Sequence, residues 1–415
     1  MMGLGPSIKM TTLHHFRCPV SLVLQKEKDL EFNGIIINGV SEGFDEKVFT
    51  AERTGYIAEC MRADGAIVAI DGWGNHHIDF VNVIEQLGLK GIPAIGISYI
   101  GQQGRLVCTN RYVDTVVDFN KNSSGYESCI VGDNNLTDYD AMKAVALLKN
   151  KMNKWGKKEL AEPSGETVLR RLTQKKYAIH KVEFGDRTTV TRGVLTLRKG
   201  MEERILEATT RIKSMTVQIV QPGEHNFFVN SNLDYMPIAC KTRGSLGEGE
   251  TNLLTGVTVM LTGVEDVSGF QPSNIGSSEG ILEKQVKLNQ AGTPADSDVI
   301  LHIDFLFEEG EGRTAKGIQA AHQAADQLLN EIRGAMRQLD DMPYTKEEFC
   351  DVARPGRRKV VLVKVVSGLG NMYDTSVFPE QPGGYIGSRL LMSTRNMPVV
   401  ITPNQCMDGA IHSLL

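Results

Sequence analysis

Cys406 is followed closely by Asp408 and His412, which places a nucleophile and two acid–base groups in one short stretch, TPNQCMDGAIHSLL. A thiolate is a strong nucleophile where a base or positive charge lowers its pKa. The competing reading is structural, because an isolated cysteine after a strand is commonly a small buried residue. A second constellation is GWGNHHID (72–79), directly after the apolar run AIVAID (66–71). There Asp71, Trp73, Asn75, His76 and His77 would stand beyond the carboxyl end of a strand, where doubly wound sheets take their ligands. The same loop also reads as a polar cap on the next helix, with Asn75 as the capping residue. Adjacent histidines project in different directions, so His76-His77 makes a poor metal pair, and no metal site is expected. His14-His15 is a weaker candidate of the same kind.

Several glycine-rich loops could cradle a ligand. GEGRTAKG (310–317) precedes a long helical pattern whose N-terminus suits an anion, or it is simply a loop leading into that helix. It lacks the GK[ST] ending of a phosphate-binding loop. His322, two turns further on, reads as a packed core histidine. SLGEGETNLLTG (245–256) and NIGSSEG (274–280), the latter carrying Glu279, flank the strand-like VTVMLT and could lie against a substrate. Turn chemistry alone also explains their glycines. SGLGNMY (367–373) fails the dinucleotide fingerprint at its last glycine, so no nucleotide is expected.

Elements must exist to position these residues. At 415 residues the chain is long enough for two or three domains. A net charge of −5 gives no basic face for nucleic acid. No apolar run reaches the ~20 residues of a membrane span, and MMGLGPSIKMTTLHHF has no signal-peptide pattern. A cytoplasmic protein is therefore expected. Seven scattered cysteines without a CxxC argue against a disulfide framework and a thiolate zinc site. Residues 1–152 alternate strand and helix: strands at 34–39, 66–71 and 93–98, an extended stretch at 105–119, and helices at 45–63 (capped by Asp45), 78–88 and 138–152. This order predicts a doubly wound parallel-sheet α/β domain. Residues 153–175, with Pro163, Ser164 and Gly165, read as a linker. Residues 176–415 predict a larger mixed-sheet α/β (α+β) domain. Its expected strands are 216–220, 257–262, 299–307, 359–366 and 398–402, with helices at 201–215 and 314–339.

The longer motifs carry a resemblance. KYAIHKVEFGDRT, IVQPGEHN, LTGVTVMLTGVE, LNQAGTP, AAHQAADQ, RPGRRKVVLVKVVSG and TPNQCMDGAIHSLL are together similar to the D-proline reductase proprotein family. These pyruvoyl-dependent amino-acid reductases are related to glycine reductase component B. This resemblance covers 175–415, the N-terminal (beta) part of the proprotein. MGLGPSIKMTTLHHFRCP, MRADGAIVAIDGWGN and VDTVVDFNK resemble its C-terminal (alpha) part and cover 1–152. The order is reversed here, as in a fusion of two reductase-associated accessory proteins or a circularly permuted subunit.

The resemblance implies a precursor cysteine that cleaves its own preceding peptide bond and leaves an N-terminal pyruvoyl carbonyl. That electrophile engages the ring nitrogen of D-proline, a selenolate on a partner subunit breaks the C–N bond, and 5-aminovalerate results, with electrons from dithiols. Cys406 is then the pyruvoyl precursor, Asp408 and His412 its acid–base companions, and Asp71, Trp73, Asn75, His76 and Glu279 the substrate contacts. A selenocysteine-containing reductase subunit, a small amino-acid substrate and an oligomeric complex are implied as partners. The alternative is a non-catalytic accessory or electron-transfer protein of the same complex.

Overall fold

Strands buried on both faces read as continuous apolar runs, because neither face meets water. Three largely buried strands, β1 (Leu30–Gly39), β2 (Gly65–Ile70) and β3 (Ala94–Ser98), lie parallel in the first sheet of the computed structural model, with the short, partly exposed β4 (Val116–Asp118) parallel at its edge. The structure describes residues 11–40, 43–70, 76–101, 106–123, 125, 130–156, 162, 164–265, 279–312, 314–337, 339, 342–366 and 397–409. A fifth strand, β18 (Arg358–Val366), inserts between β1 and β2 and is parallel to both. β19 (Val399–Ile401) closes the β1 edge antiparallel. The sequence reading placed 359–366 and 398–402 in the second half's own sheet; both instead complete the first. KVVLVKVV reads as a buried strand in any sheet, so its run of valines could not say which one it joins.

Helices α3 (Phe44–Cys60) and α4 (His76–Leu89) cover one face of this sheet. α2 (Pro19–Lys26) and α5 (Asp138–Lys154) cover the other. α5 starts at a capping box, in which Thr137 and Asp140 satisfy each other's backbone amides. Gly43, not Asp45, is the N-cap of α3; Asp45 lies in the first turn, where its charge complements the helix dipole.

The intervening chain builds the remaining sheets. β11 (Ser231–Met236), β14 (Val257–Glu265), β16 (Val299–Phe307) and β9 (Ile212–Val220) pair in that order. Leu301, Ile303 and Phe305 of β16 pack with Ala321, Leu328 and Ile332 of α8 (Ala315–Met336). α6 (Met201–Leu206) contributes Ile205 to the same core. The expected helix 201–215 stops there, since the Ala208 and Thr209 amides turn back to Ile205 and Leu206. Two threonines follow, whose branched side chains favour extended backbone.

β12 (Ala239–Arg243), β13 (Gly249–Thr255), β5 (Thr167–Ala178) and β17 (Thr345–Ala353) form another sheet. β5 therefore occupies the last part of the stretch read as a linker. β6 (Lys181–Gly185), β8 (Val194–Arg198) and β7 (Thr189–Thr191) make a three-stranded sheet, and β10 (Phe228–Val229) pairs with β15 (Gly280–Ile281), which leads into α7 (Leu282–Gln285).

Two short helices from opposite ends of the sequence stitch these sheets together. α1 (Thr12–Phe16) buries Leu13 and Phe16 with Tyr235, Met260 and Ile300. Its Thr12 amide and hydroxyl donate to the Asp234 carboxylate at 2.8 and 2.6 Å. α9 (Pro403–Met407) packs on β1, β5 and β17, with Cys406 and Met407 in the first sheet's core.

Candidate functional site

Side chains alternate along β18. Val361, Val363 and Val365 join the α3/α4 core, while Val360, Leu362 and Val366 join the α2/α5 core. That alternation places Lys364 on the α2/α5 side, where it is 1% exposed. Its Nζ lies 3.0 Å from His15 Nδ1 and 3.8 Å from Cys406 Sγ, and Cys18 acts on it electrostatically. Burial works to lower its pKa, as it does for any ammonium. The charges and hydrogen bonds of Cys18 and Cys406 outweigh this and hold it above the ordinary lysine value. Among the described residues no carboxylate forms an ion pair with Lys364.

The two thiols differ. Cys406 Sγ donates to the His15 carbonyl at 3.3 Å, and lies 3.7 Å from Ser21 Oγ and 3.9 Å from His15 Nδ1. Burial pushes its pKa up to about 11; Lys364 pulls it down and Cys18 pushes it further up. Burial also works to raise the Cys18 thiol, but Lys364 and hydrogen bonds with Ser21 outweigh burial and leave it below the ordinary value. Cys18 immediately precedes α2, with Pro19 at the first helical position, so the positive end of the helix dipole also favours a thiolate there. Burial, then Lys364, lowers His14 to about 3 and His15 well below its ordinary value. Both imidazoles are thus neutral at pH 7. If His15 Nδ1 accepts from Lys364, Nε2 carries the proton, and that buried nitrogen has no partner among the described residues.

The turn that carries Cys406 is firmly held. Thr402 and Gln405 form a capping box, and the Cys406 amide donates to the Thr402 carbonyl at 3.2 Å. The Asn404 amide donates to Asp351 Oδ1 at 2.9 Å, and Asn404 Nδ2 donates to the Gly247 carbonyl at 3.0 Å. Asp408 is fully buried. Its carboxylate accepts from the Gly247 amide (2.6 Å), Thr251 Oγ1 (2.5 Å) and Lys241 Nζ (2.8 Å). Asp408 is therefore committed to Lys241 and to β13; the expected acid–base pairing with Cys406 is not made. His412 lies outside the described residues.

The second candidate region sits on the other face of the sheet. His77 Nε2 is 3.0 Å from Ser98 Oγ, at the carboxyl end of β3. The Val107 amide donates to His77 Nδ1 at 3.3 Å. Lys47 and Asp79 form a buried ion pair at 2.5 Å. His76, at the start of α4, is lowered to about 4 by burial first, then by Lys47 and His77. This corner has the position expected of a ligand site, but it faces α3 and α4 and is separated by the sheet from Cys406. Asp71, Trp73 and Asn75 lie outside the described residues. Glu279 belongs to another part of the fold, accepting from Ser231 Oγ at 3.4 Å beside β11. The Gly312 amide of GEGRTAKG donates to Glu265 at 2.5 Å, so a protein carboxylate already occupies this donor. His322 is fully buried, 3.4 Å from Asp234, in keeping with the core reading.

Sequence reasoning missed Lys364, Cys18 and Ser21. The signal for Lys364 was legible: a single charge among the branched aliphatics of VVLVKVV. Nothing in the sequence singled out Cys18, because the charge that most lowers its pKa, Lys364, arrives from more than 300 residues away.

A profile of the glycine/sarcosine/betaine reductase component B subunits matches residues 4–124 and 170–280. These segments include His14, His15, Cys18 and Ser21 but not Lys364 or Cys406. The D-proline reductase proprotein PrdA of Acetoanaerobium sticklandii is 33% identical over 259 residues, covering 62% of this chain and 41% of that protein. The glycine reductase complex component B subunits alpha and beta of the same organism are 28% identical over 256 residues, 57% of this chain and 54% of the relative. The sarcosine reductase complex component B subunit alpha of Peptoclostridium acidaminophilum is 26% identical over 263 residues, 59% and 56% respectively. The chain spans about half the length of these relatives, or less. No solved structure matches.

A pyruvoyl group made from Cys406 does not fit its surroundings. The Gln405–Cys406 bond lies inside a capped helical turn, and cutting it would detach Asp408, the counter-charge of buried Lys241, from that turn.

Proposed function

This chain belongs to the family of glycine/sarcosine/betaine reductase component B subunits, and from that premise we propose that it is a thiol-bearing accessory component of an amino-acid reductase complex. The complex would act on D-proline or a similar small cyclic amino acid and would include a selenocysteine-containing subunit. The identity to the D-proline reductase proprotein supports this substrate class. The observation that carries the accessory role is the state of Cys406: a buried thiol, its pKa pushed up to about 11, inside a turn anchored at both ends. Such a thiol is a poor nucleophile at neutral pH.

A second reading has one observation in its favour. Neutral His15 places Nδ1 3.9 Å from the Cys406 sulfur, within reach as a base for self-cleavage in a catalytic D-proline reductase subunit. The intact mass of the purified protein separates the two. An uncleaved chain with a free thiol at 406 is expected. Cleavage before 406, with a new carbonyl that reacts with hydrazine, would overturn the accessory reading and establish the catalytic one.

A further inference from the structure

We infer that Cys18 and Cys406 are the two halves of a redox dithiol, closing to a disulfide beside Lys364 and making the α1/α2/α9 junction a two-electron relay for dithiol and disulfide partners. The inference rests on the reading of Cys406 as a retained thiol. The two cysteines come from opposite ends of the sequence, yet the Cys18 amide and the Cys406 thiol both donate to the His15 carbonyl, each at 3.3 Å, and both residues lie in the same buried cluster. Cys406 Sγ is 3.8 Å from Lys364 Nζ, and the Lys364 charge also acts on Cys18, so the two residues are neighbours beside a single positive charge. A buried lysine matched, among the described residues, by thiols and a neutral imidazole and by no carboxylate has little structural rationale, since an apolar residue would fill the space without desolvating a charge. It has a clear chemical one, because an ammonium beside two sulfurs stabilises whichever is the thiolate.

The pair is also unequal in the way thiol–disulfide exchange needs. The thiolate is the attacking species, and the rate follows its population. Cys18, held low by Lys364 and the start of α2, is the attacking thiol; Cys406, held high, is the resolving one. In the oxidative direction the Cys18 thiolate attacks a partner disulfide, and one partner sulfur leaves as a thiolate. Cys406 then gives up its proton and attacks the Cys18 sulfur, releasing the second partner sulfur. The chain loses two electrons, one S–H proton and the charge of the Cys18 thiolate. The partner disulfide gains two electrons and becomes two thiols, one proton coming from Cys406 and one from solvent. Reduction by a dithiol donor runs the same steps backward and leaves the donor as its disulfide. His15, whose carbonyl accepts from Cys406 and whose ring accepts from Lys364, holds both partners in register.

The test uses the full chain, incubated with oxidised glutathione and then with dithiothreitol, with free thiols trapped and peptides mapped by mass spectrometry. A Cys18–Cys406 linked peptide is expected, with a loss of two hydrogens, reversed by dithiothreitol. Cys18→Ser and Cys406→Ser should each abolish it. Lys364→Met should slow its formation at pH 7 about tenfold or more, because each unit rise in a thiol's pKa removes tenfold of its thiolate. Exposed Cys60 serves as the internal control for reagent activity. If the chain is intact and Cys60 reacts while Cys18 and Cys406 remain free or link elsewhere, the relay is overturned and the accessory reading stands. If the chain is instead found cleaved before 406, both fall together.

Discussion

Two buried lysines flank α9, and they are neutralised in opposite ways. Lys241, its side chain 4% exposed, meets the fully buried carboxylate of Asp408, which also accepts from Thr251 and the Gly247 amide. Lys364 meets the sulfur of Cys406, two residues earlier, together with Cys18 and a neutral imidazole. The Asp408 site is a buried ion pair whose carboxylate accepts from three donors, and its product is position: it fixes the end of α9 on β13. The Lys364 site is conditional. Its counter-charge exists only when a thiol ionises, and it vanishes when that thiol is oxidised. The same short helix thus carries an anchor on one side and a responsive group on the other, and the anchor is what holds Cys406 against Lys364.

The largest effect should come from breaking the anchor. Asp408→Ala leaves Lys241 buried with no carboxylate, and removing one partner of a buried pair costs about 3–5 kcal/mol. Urea unfolding should report a loss of that size. A double variant, Lys241→Met with Asp408→Leu, should recover most of it, because the stranded charge is gone. A loss below about 1 kcal/mol for Asp408→Ala would mean that Lys241 reaches water and the two lysines are less different than drawn.

Acid should discriminate the two sites next. His14 is neutral in the folded protein, lowered from 6.5 to about 3 by burial and then by Lys364. The unfolded chain binds that proton below about pH 6.5, while the folded chain does not until about pH 3. Stability is therefore fully present above pH 6.5 and is lost as the pH falls, by about 2 kcal/mol from this residue between pH 7 and 5. His76, His77 and His302, each lowered to about 4, mainly by burial, act in the same direction. A comparison of wild type with His14→Phe isolates the share belonging to the Lys364 side: the variant's stability should fall about 2 kcal/mol less over that range. Identical slopes would remove His14 from the account.

What the sequence could reveal followed from how local each signal was. The strand–helix alternation of 30–98, the long amphipathic α8 and the start of α5 at Thr137 are set by near neighbours, and they read correctly to within a few residues. The position of β18 in the first sheet is set by pairing across some 300 residues, which an all-aliphatic strand does not encode locally. Cys406 was singled out for its proximity in sequence to Asp408 and His412. In the fold, Asp408 faces the other way, and the groups that do touch the sulfur, His15, Ser21 and Lys364, come from α1, α2 and β18. His14-His15 carried a weak signal and His15 proved the more informative, because burial beside a charge cannot be read from a dipeptide.

The smallest change in stability is expected where the chemistry changes most. Lys364→Met replaces a desolvated ammonium by an apolar side chain of similar length. Such a swap removes the penalty of burying charge together with the attraction that offset it, so the two nearly cancel. The free energy of unfolding should move by no more than about 1 kcal/mol in either direction, against the several kcal/mol of Asp408→Ala. The Cys18 thiol, by contrast, loses the positive charge that outweighs its burial, so its pKa must rise. The pH profile of Cys18 alkylation should therefore shift to higher pH in the variant, with little change for exposed Cys60 in the same sample. A profile that does not move would assign the low Cys18 pKa to the α2 dipole and the Ser21 hydrogen bonds instead. Lys364 would then be as purely structural as Lys241, and the contrast between the two sides of α9 would disappear.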